Sequence, residues 1–293
     1  MSYHIVTDSV IDLPSSLVDK WNLTIIPYVF TLDGKDYHNY IDHRELPIKD
    51  FYTALREGKI GSTTLVNSHR YVEVWEPILE EGKDIFYICL SSGISKSYDQ
   101  SLMAIAEMKE KYPDRKIVSI DSKGGSLGQG LLTYYAVKGR DAGKNLDELT
   151  AYIEGLVNRL NHWIMPDDLN HLRRGGRVSG AAAFIGTMLN VKPVLTMIDD
   201  GRIVPVHKVR GTKKGLSYII EQMVERGFDL KESIITIAHS DVPDLVNQAK
   251  ELISEKFNNC EFIVNELGPI VGSHCGPGTI GIMFLGKDRY KLG

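Results

Sequence analysis

Ile85-Phe-Tyr-Ile-Cys-Leu-Ser-Ser-Gly-Ile-Ser-Lys-Ser97 decides the fold class. Its first six residues are a short aliphatic and aromatic run of buried-strand length, and the next seven are rich in hydroxyls and glycine. Beyond them Tyr98, Leu102, Ile105, Met108 and Tyr112 recur at spacings of three and four, one face of an amphipathic helix that Pro113 ends. The pattern repeats in the strand Lys116–Ile120, the loop Asp121-Ser-Lys-Gly-Gly-Ser-Leu-Gly-Gln-Gly130 and a helical stretch over Leu131–Val137. Upstream, Tyr3–Thr7 and Leu23–Phe30 read as two further buried strands. Strand, loop and helix in repetition imply βαβ units and a mostly parallel sheet, with ligands bound beyond the C-terminal strand ends, where these Ser/Gly loops lie.

The second half changes character. A helix over Leu149–Leu160 precedes the stretch Trp163–Arg177, and strand Pro193–Met197 meets Arg202–Val206 across Asp199-Asp-Gly201, a hairpin signal. Helix Leu216–Arg226, strand Ile234–Ala238, a helix to about Phe257, and strands Glu261–Val264 and Ile280–Phe284 follow. The expected architecture is α/β: an N-terminal, mostly parallel-sheet α/β domain over 1–160 and a C-terminal α+β domain with a mixed or antiparallel sheet over 161–293.

A chain of 293 residues has room for two domains. Its 43% apolar and 25% charged residues are those of an ordinary globular protein, and a net charge of −4 argues against a nucleic-acid-binding protein as a whole. No apolar run has bilayer-spanning length, so no integral membrane segment is expected. Met1–Asp8 lacks the basic and apolar regions of a signal peptide, and the expected location is cytoplasmic. Cys89, Cys260 and Cys275 are far apart and show no zinc spacing; Cys89, in an apolar run, reads as a buried free thiol. No metal and no cofactor are expected. There is no P-loop, no GxGxxG after the first strand and no HExxH. Asp8 lacks a second aspartate two positions on and reads as the cap of the following turn.

Several segments carry chemistry. Gly-Pro-Ile-Val-Gly-Ser-His-Cys-Gly-Pro-Gly-Thr-Ile-Gly, residues 268–281, packs five glycines and two prolines around His274 and reads as a loop built to present that imidazole. The bland alternative is a tight hairpin with an incidental histidine. Ser91, Ser92, Ser95 and Ser97 lie between strand and helix, where free N–H groups and hydroxyls favour a carboxylate or phosphate, although capping alone explains one or two serines. Gly61-Ser-Thr-Thr-Leu-Val-Asn67 is a second hydroxyl-rich stretch before a helix, for which capping is the simpler account. Residues 171–214 hold nine Lys/Arg against two Asp, a concentration of positive charge that in an acidic chain faces something negative or is a solvated face. Gly124-Gly-Ser126-Leu-Gly128 fits G-x-S-x-G, and His239 and His274 follow it. Ser126, however, stands five residues past the strand end, out of place for a nucleophile elbow.

Taken together the residues resemble the DegV family, which includes the fatty-acid-binding subunit of bacterial fatty acid kinase. The resemblance rests on Val6-Thr-Asp-Ser-Val-Ile-Asp-Leu-Pro14, Ser62-Thr-Thr64, Ser91-Ser-Gly-Ile-Ser95, Ile120–Gly130, Leu172-Arg-Arg-Gly-Gly-Arg-Val-Ser179, Asn190-Val-Lys-Pro-Val-Leu195, Lys208-Val-Arg-Gly211 and the His274 segment, in the family's order over essentially the whole chain. It implies a two-domain protein holding one long-chain fatty acid, its carboxylate in the interdomain cleft and its tail in an apolar tunnel. The implied carboxylate ligands are Thr63, Thr64, Ser92 or Ser95, and His274. Arg177 and Arg210 are implied contacts for the phosphate or for an ATP-binding kinase subunit, which would convert the carboxylate to an acyl phosphate. On this reading the chain is a lipid carrier rather than an enzyme. Leu65-Val66 replace the family's frequent Gln-Pro, and Lys96-Ser97 its frequent Gly-Thr. Two other readings stand beside it: a serine hydrolase acting on acyl esters through Ser126, and an interaction protein working through the basic stretch 171–214.

Overall fold

The computed structural model describes residues 3–179, 191–227 and 234–291. The N-terminal half runs β1 (Tyr3–Asp8), a 3-10 turn (Ser9–Ile11), α1 (Ser15–Lys20), β2 (Thr24–Ile26), β3 (Tyr28–Leu32), β4 (Lys35–Asn39), α2 (Ile48–Arg56), β5 (Gly61–Thr64), α3 (Ser68–Glu80), β6 (Asp84–Cys89), α4 (Ser97–Lys111), β7 (Ile117–Asp121), α5 (Leu127–Asp141) and α6 (Leu146–Val157). The expected parallel sheet is present with order β2-β1-β6-β7, every pair parallel. Its strands are near-continuous apolar runs because both faces are covered. Val6, Tyr87 and Cys89 point into one apolar cluster, shared with Tyr71 and Trp75 of α3 and with Ala104 and Met108 of α4. Their neighbours Ile5, Phe86 and Ile88 point into another, shared with α5 and α6. Cys89 is a buried free thiol, as expected.

The run Leu23–Phe30 is not one strand. Pro27 has no N–H to donate, and the chain breaks there into β2, in the parallel sheet, and β3, the centre of an antiparallel sheet of order β4-β3-β5. In that sheet Thr63 of β5 stands opposite Phe30 and Thr64 opposite Val29, so the hydroxyls of Gly61–Thr64 lie on a strand, while the expected helix cap falls to Asn67, whose side chain accepts the Arg70 amide at the start of α3.

The C-terminal half runs β8 (Leu160–Met165), α7 (Asn170–Gly175), β9 (Val191–Met197), β10 (Ile203–Arg210), α8 (Thr212–Glu225), β11 (Ile235–His239), α9 (Pro243–Lys256), β12 (Phe262–Glu266), α10 (Pro269–Cys275) and β13 (Ile280–Leu285). These strands form a mixed sheet of order β10-β9-β8-β13-β11-β12, parallel only at β11–β12. Trp163, Ile235, Ile282 and Phe284 face α8 and α9. On the other side Leu195, Met197, Ala238 and Met283 join the cluster of the N-terminal half, so one apolar body spans the two sheets. Asn190, and with it the start of the motif Asn190–Leu195, lies outside the described residues, as do positions 180–190 of the basic stretch.

The His274 segment corrects the expectation of a loop. It is α10, a short helix that opens with Pro269 at its first turn, where the missing N–H costs nothing, and ends at Gly276 with φ +74°. Gly272 lets α10 lie flat on α2, since a Cβ there would stand 2.7 Å from Tyr52 Oη and 2.9 Å from Phe51 Cε1.

Candidate functional site

A cavity of about 600 Å³, lined by strands of the antiparallel and mixed sheets and by the segments that follow β1, β6 and β7 of the parallel one, lies within the range of small-molecule sites. Most of its wall is apolar, with Val10, Leu90, Ile164, Met197, Ala238, Ile270 and Met283 among the lining residues. Thr63, Thr64, Ser92, Ser95, Ser126, Arg177 and His274 line the same space. Seven positions singled out in the sequence, up to 211 residues apart, therefore converge on one cavity.

One polar contact in the wall joins β5 to α10: Thr63 Oγ1 and His274 Nε2 are 2.9 Å apart. Burial first, and the nearby Arg177 guanidinium second, push the His274 pKa down to about 4, so the imidazole is neutral at pH 7. Arg177 is exposed and donates to the Gly175 carbonyl at the end of α7. Thr64, alternating with Thr63 along the strand, is exposed at the cavity edge.

The serines of the loop after β6 differ in what holds them. Ser92 donates to Asp121 Oδ2 at 2.5 Å, and its amide bonds Asp121 Oδ1 at 3.1 Å. A hydroxyl committed to one carboxylate is a poor donor to a second. The Ser95 hydroxyl bonds Ser97 Oγ at 3.0 Å and its oxygen accepts the Ser97 amide at 3.2 Å; among the described contacts no carboxylate takes its proton. Ser91, fully buried, bonds the Gly201 carbonyl and ties the loop to the β9–β10 hairpin, the turn expected from Asp-Gly.

Ser126 caps the start of α5 with φ +52° and ψ −143°, a backbone region that side chains rarely adopt. Its hydroxyl donates to Asp12 Oδ2 at 2.6 Å; neither His239 nor His274 bonds it among the described contacts. Asp12 also accepts the Gly268 amide at 2.9 Å, so one buried carboxylate holds the starts of α5 and α10 together. Burial raises its pKa to about 7, and that of buried Asp8 to about 6. Asp8 caps the 3-10 turn through the Val10 amide at 3.0 Å, the role its position suggested.

A model described as "Uncharacterised protein, DegV family" matches residues 2–287. A DegV domain-containing protein from Clostridium perfringens is 40% identical over 285 residues, 97% of this chain and 98% of that one. The chain belongs to the DegV family. Among solved structures, one titled as fatty acid binding of a DegV family protein from Thermus thermophilus superposes with a TM-score of 0.88 at 28% identity, covering 98% of this chain and 100% of that one. DegV from Bacillus subtilis, titled a fatty acid binding protein, superposes with a TM-score of 0.81 at 28% identity over 98% and 100% of the two chains.

Arg210 is the DegV-family position that the fold does not bring to the cavity: it ends β10, exposed, and is absent from the lining. Three groups at or behind the cavity wall went unread in the sequence: Tyr28 and His162 line it, and Asp12 holds Ser126 from behind. Tyr28 lies in a run that reads as plain strand core. Asp12 sits within a family motif but shows no chemical pattern by itself. His162, whose pKa burial lowers to about 3, accepts the Gly125 amide at 3.3 Å from a buried strand with no flanking signal.

Proposed function

We propose that this chain is a cytoplasmic carrier that holds one long-chain fatty acid and presents it to an ATP-binding kinase subunit for acyl-phosphate formation. The observation that carries the reading is an apolar cavity whose polar wall offers neutral donors, the Thr63–His274 pair and Ser95, rather than a buried ion pair. The relatives from Thermus thermophilus and Bacillus subtilis, both described as binding fatty acid, support the same class of ligand.

The tail would supply most of the affinity. About fourteen methylenes at about 0.8 kcal/mol each give roughly 11 kcal/mol before the costs of ordering and association. The head would set the register. Hydroxyl and neutral imidazole donors hold a carboxylate without the bidentate grip of a buried arginine, which leaves its oxygens able to attack a phosphoryl group. In this reading Ser95 rather than Ser92 donates to the carboxylate, because Asp121 already takes the Ser92 proton. Arg177 at the cavity and Arg210 on the exposed end of β10 would meet the phosphate or the partner subunit. Chemistry beyond binding would belong to that subunit, with no cofactor or metal held here.

Native mass spectrometry of the purified protein, before and after solvent extraction, tests this. The expected result is a mass increment of one fatty acid per chain, released on extraction. Protein that arrives empty and also fails to take up added hexadecanoate or oleate would rule out the carrier reading.

A further inference from the structure

Tyr28, Ser95 and Val66 aim three hydrogen-bond donors at one atom, Ser97 Oγ. The Tyr28 hydroxyl donates to Ser97 Oγ at 2.7 Å, the Ser95 hydroxyl points to the same atom at 3.0 Å, and the Val66 amide reaches it at 3.3 Å. A serine oxygen has two lone pairs, so three donors exceed it. Ser97 also carries a proton of its own, and Ser95 Oγ, which takes the Ser97 amide at 3.2 Å, has a lone pair left to receive it. When Tyr28 and Val66 fill Ser97 Oγ and Ser97 fills Ser95 Oγ, the Ser95 proton is displaced from Ser97 Oγ. Ser97 is fully buried and Tyr28 3% exposed, whereas Ser95 is only partly buried and lines the cavity. The displaced Ser95 proton is thus free to turn into the cavity that Ser95 lines.

We propose that Tyr28 is a positioning residue for headgroup recognition: by occupying Ser97 Oγ it turns the Ser95 hydroxyl proton into the cavity, so that the site selects an anionic headgroup over a neutral one. This rests on the reading of the cavity as a fatty-acid site. Burial holds the Tyr28 phenol pKa well above its ordinary value, so this donor stays protonated. The cluster is also rigidly placed. Ser97 joins the segment after Thr63 and Thr64, through Val66, to the Ser95 loop. Its carbonyl accepts Tyr71 Oη at 3.2 Å, and Tyr71 and Tyr87 (3.0 Å) lead on to Asp8 Oδ2 at 3.1 Å. Ser92, with its proton on Asp121, has no such freedom.

Tyr28→Phe keeps the ring that forms the cavity wall and removes only the hydroxyl. Dissociation constants for hexadecanoate and hexadecan-1-ol are to be measured by calorimetry in the wild type, Tyr28→Phe, Ser95→Ala and the double variant. Tyr28→Phe should weaken hexadecanoate about tenfold, the worth of one hydrogen bond to a charge, and leave the alcohol within about twofold. In the Ser95→Ala background it should change neither. Equal weakening of both ligands, or an undiminished effect without Ser95, overturns the proposal. Ser97→Ala removes the acceptor that Tyr28 has to occupy, so it should keep the preference for the carboxylate and make Tyr28→Phe silent; a Tyr28→Phe effect that survives in the Ser97→Ala background also overturns the proposal. A wild type that takes up neither ligand refutes the carrier reading itself. Uptake with unaltered selectivity in Tyr28→Phe refutes only the positioning role.

Discussion

Gly175→Ala tests whether the wall between α7 and α10 holds His274 in place. Gly175 is the last residue of α7, where alanine would ordinarily favour the helix by up to about 1 kcal/mol. Here a Cβ would stand 2.3 Å from His274 Nδ1, 3.2 Å from its Cγ and 3.3 Å from its Cε1. Ordinary contact requires the imidazole or α7 to retreat by roughly 1 Å. A shift of that size in the ring stretches its 2.9 Å bond with Thr63 beyond hydrogen-bonding range. Overpacking costs about 1–3 kcal/mol and the lost bond about 1, against the helix gain, for a net loss of about 2 kcal/mol. For a chain of this size that is a melting-temperature fall of roughly 4 °C, read by calorimetry. Hexadecanoate affinity should fall about tenfold, because the ring is displaced from the pair it forms with Thr63. Gly176→Ala, where no atom lies within 4 Å of the added Cβ, provides a control for left-handed strain alone. A Gly175→Ala protein as stable as the wild type and binding equally well would refute the geometry on which the headgroup argument rests.

His274→Ala and Thr63→Ala should each weaken hexadecanoate by about ten- to a hundredfold in calorimetry, while Ser126→Ala stays within about twofold. A fluorophosphonate probe should leave the protein unlabelled; labelling that disappears in Ser126→Ala would replace the carrier with a hydrolase. Arg210→Ala should weaken capture of the proposed kinase subunit without altering hexadecanoate affinity, whereas Arg177→Ala, which faces the cavity, should alter both. Asp12 has a folded pKa of about 7, above its ordinary 3.8, so the stability it contributes when protonated is fully present at low pH and lost as pH rises towards 7. Asn at this position mimics the protonated acid, accepting from Gly268 and donating to Ser126. Asp12→Asn should therefore gain about 2 kcal/mol relative to the wild type between pH 5.5 and pH 8 in urea unfolding. An unchanged difference across that range would count against a buried, titrating Asp12.

The βαβ units were legible because a parallel strand covered on both faces must be apolar throughout, and Ile85–Leu90 and its helix carry that signature within one short window. The same locality explains two misreadings. Pro27 divides an apolar run that hydropathy alone joins, and Pro269 starts a helix in a segment whose glycines suggested an open loop. Those glycines answer to packing partners such as Tyr52, which are remote in the chain.

The sequence by itself determined the parallel sheet, the mixed C-terminal sheet and the residue types able to hold a carboxylate, since periodicity and hydroxyl clusters are properties of neighbouring residues. Only the tertiary structure decided which hydroxyls are available. Asp121 takes the proton of Ser92, Asp12 takes that of Ser126, and Tyr28 crowds Ser97 until Ser95 has a proton to spare. Each of those partners lies 29 or more residues away, and a hydroxyl's direction is set by the acceptors that the fold brings to it.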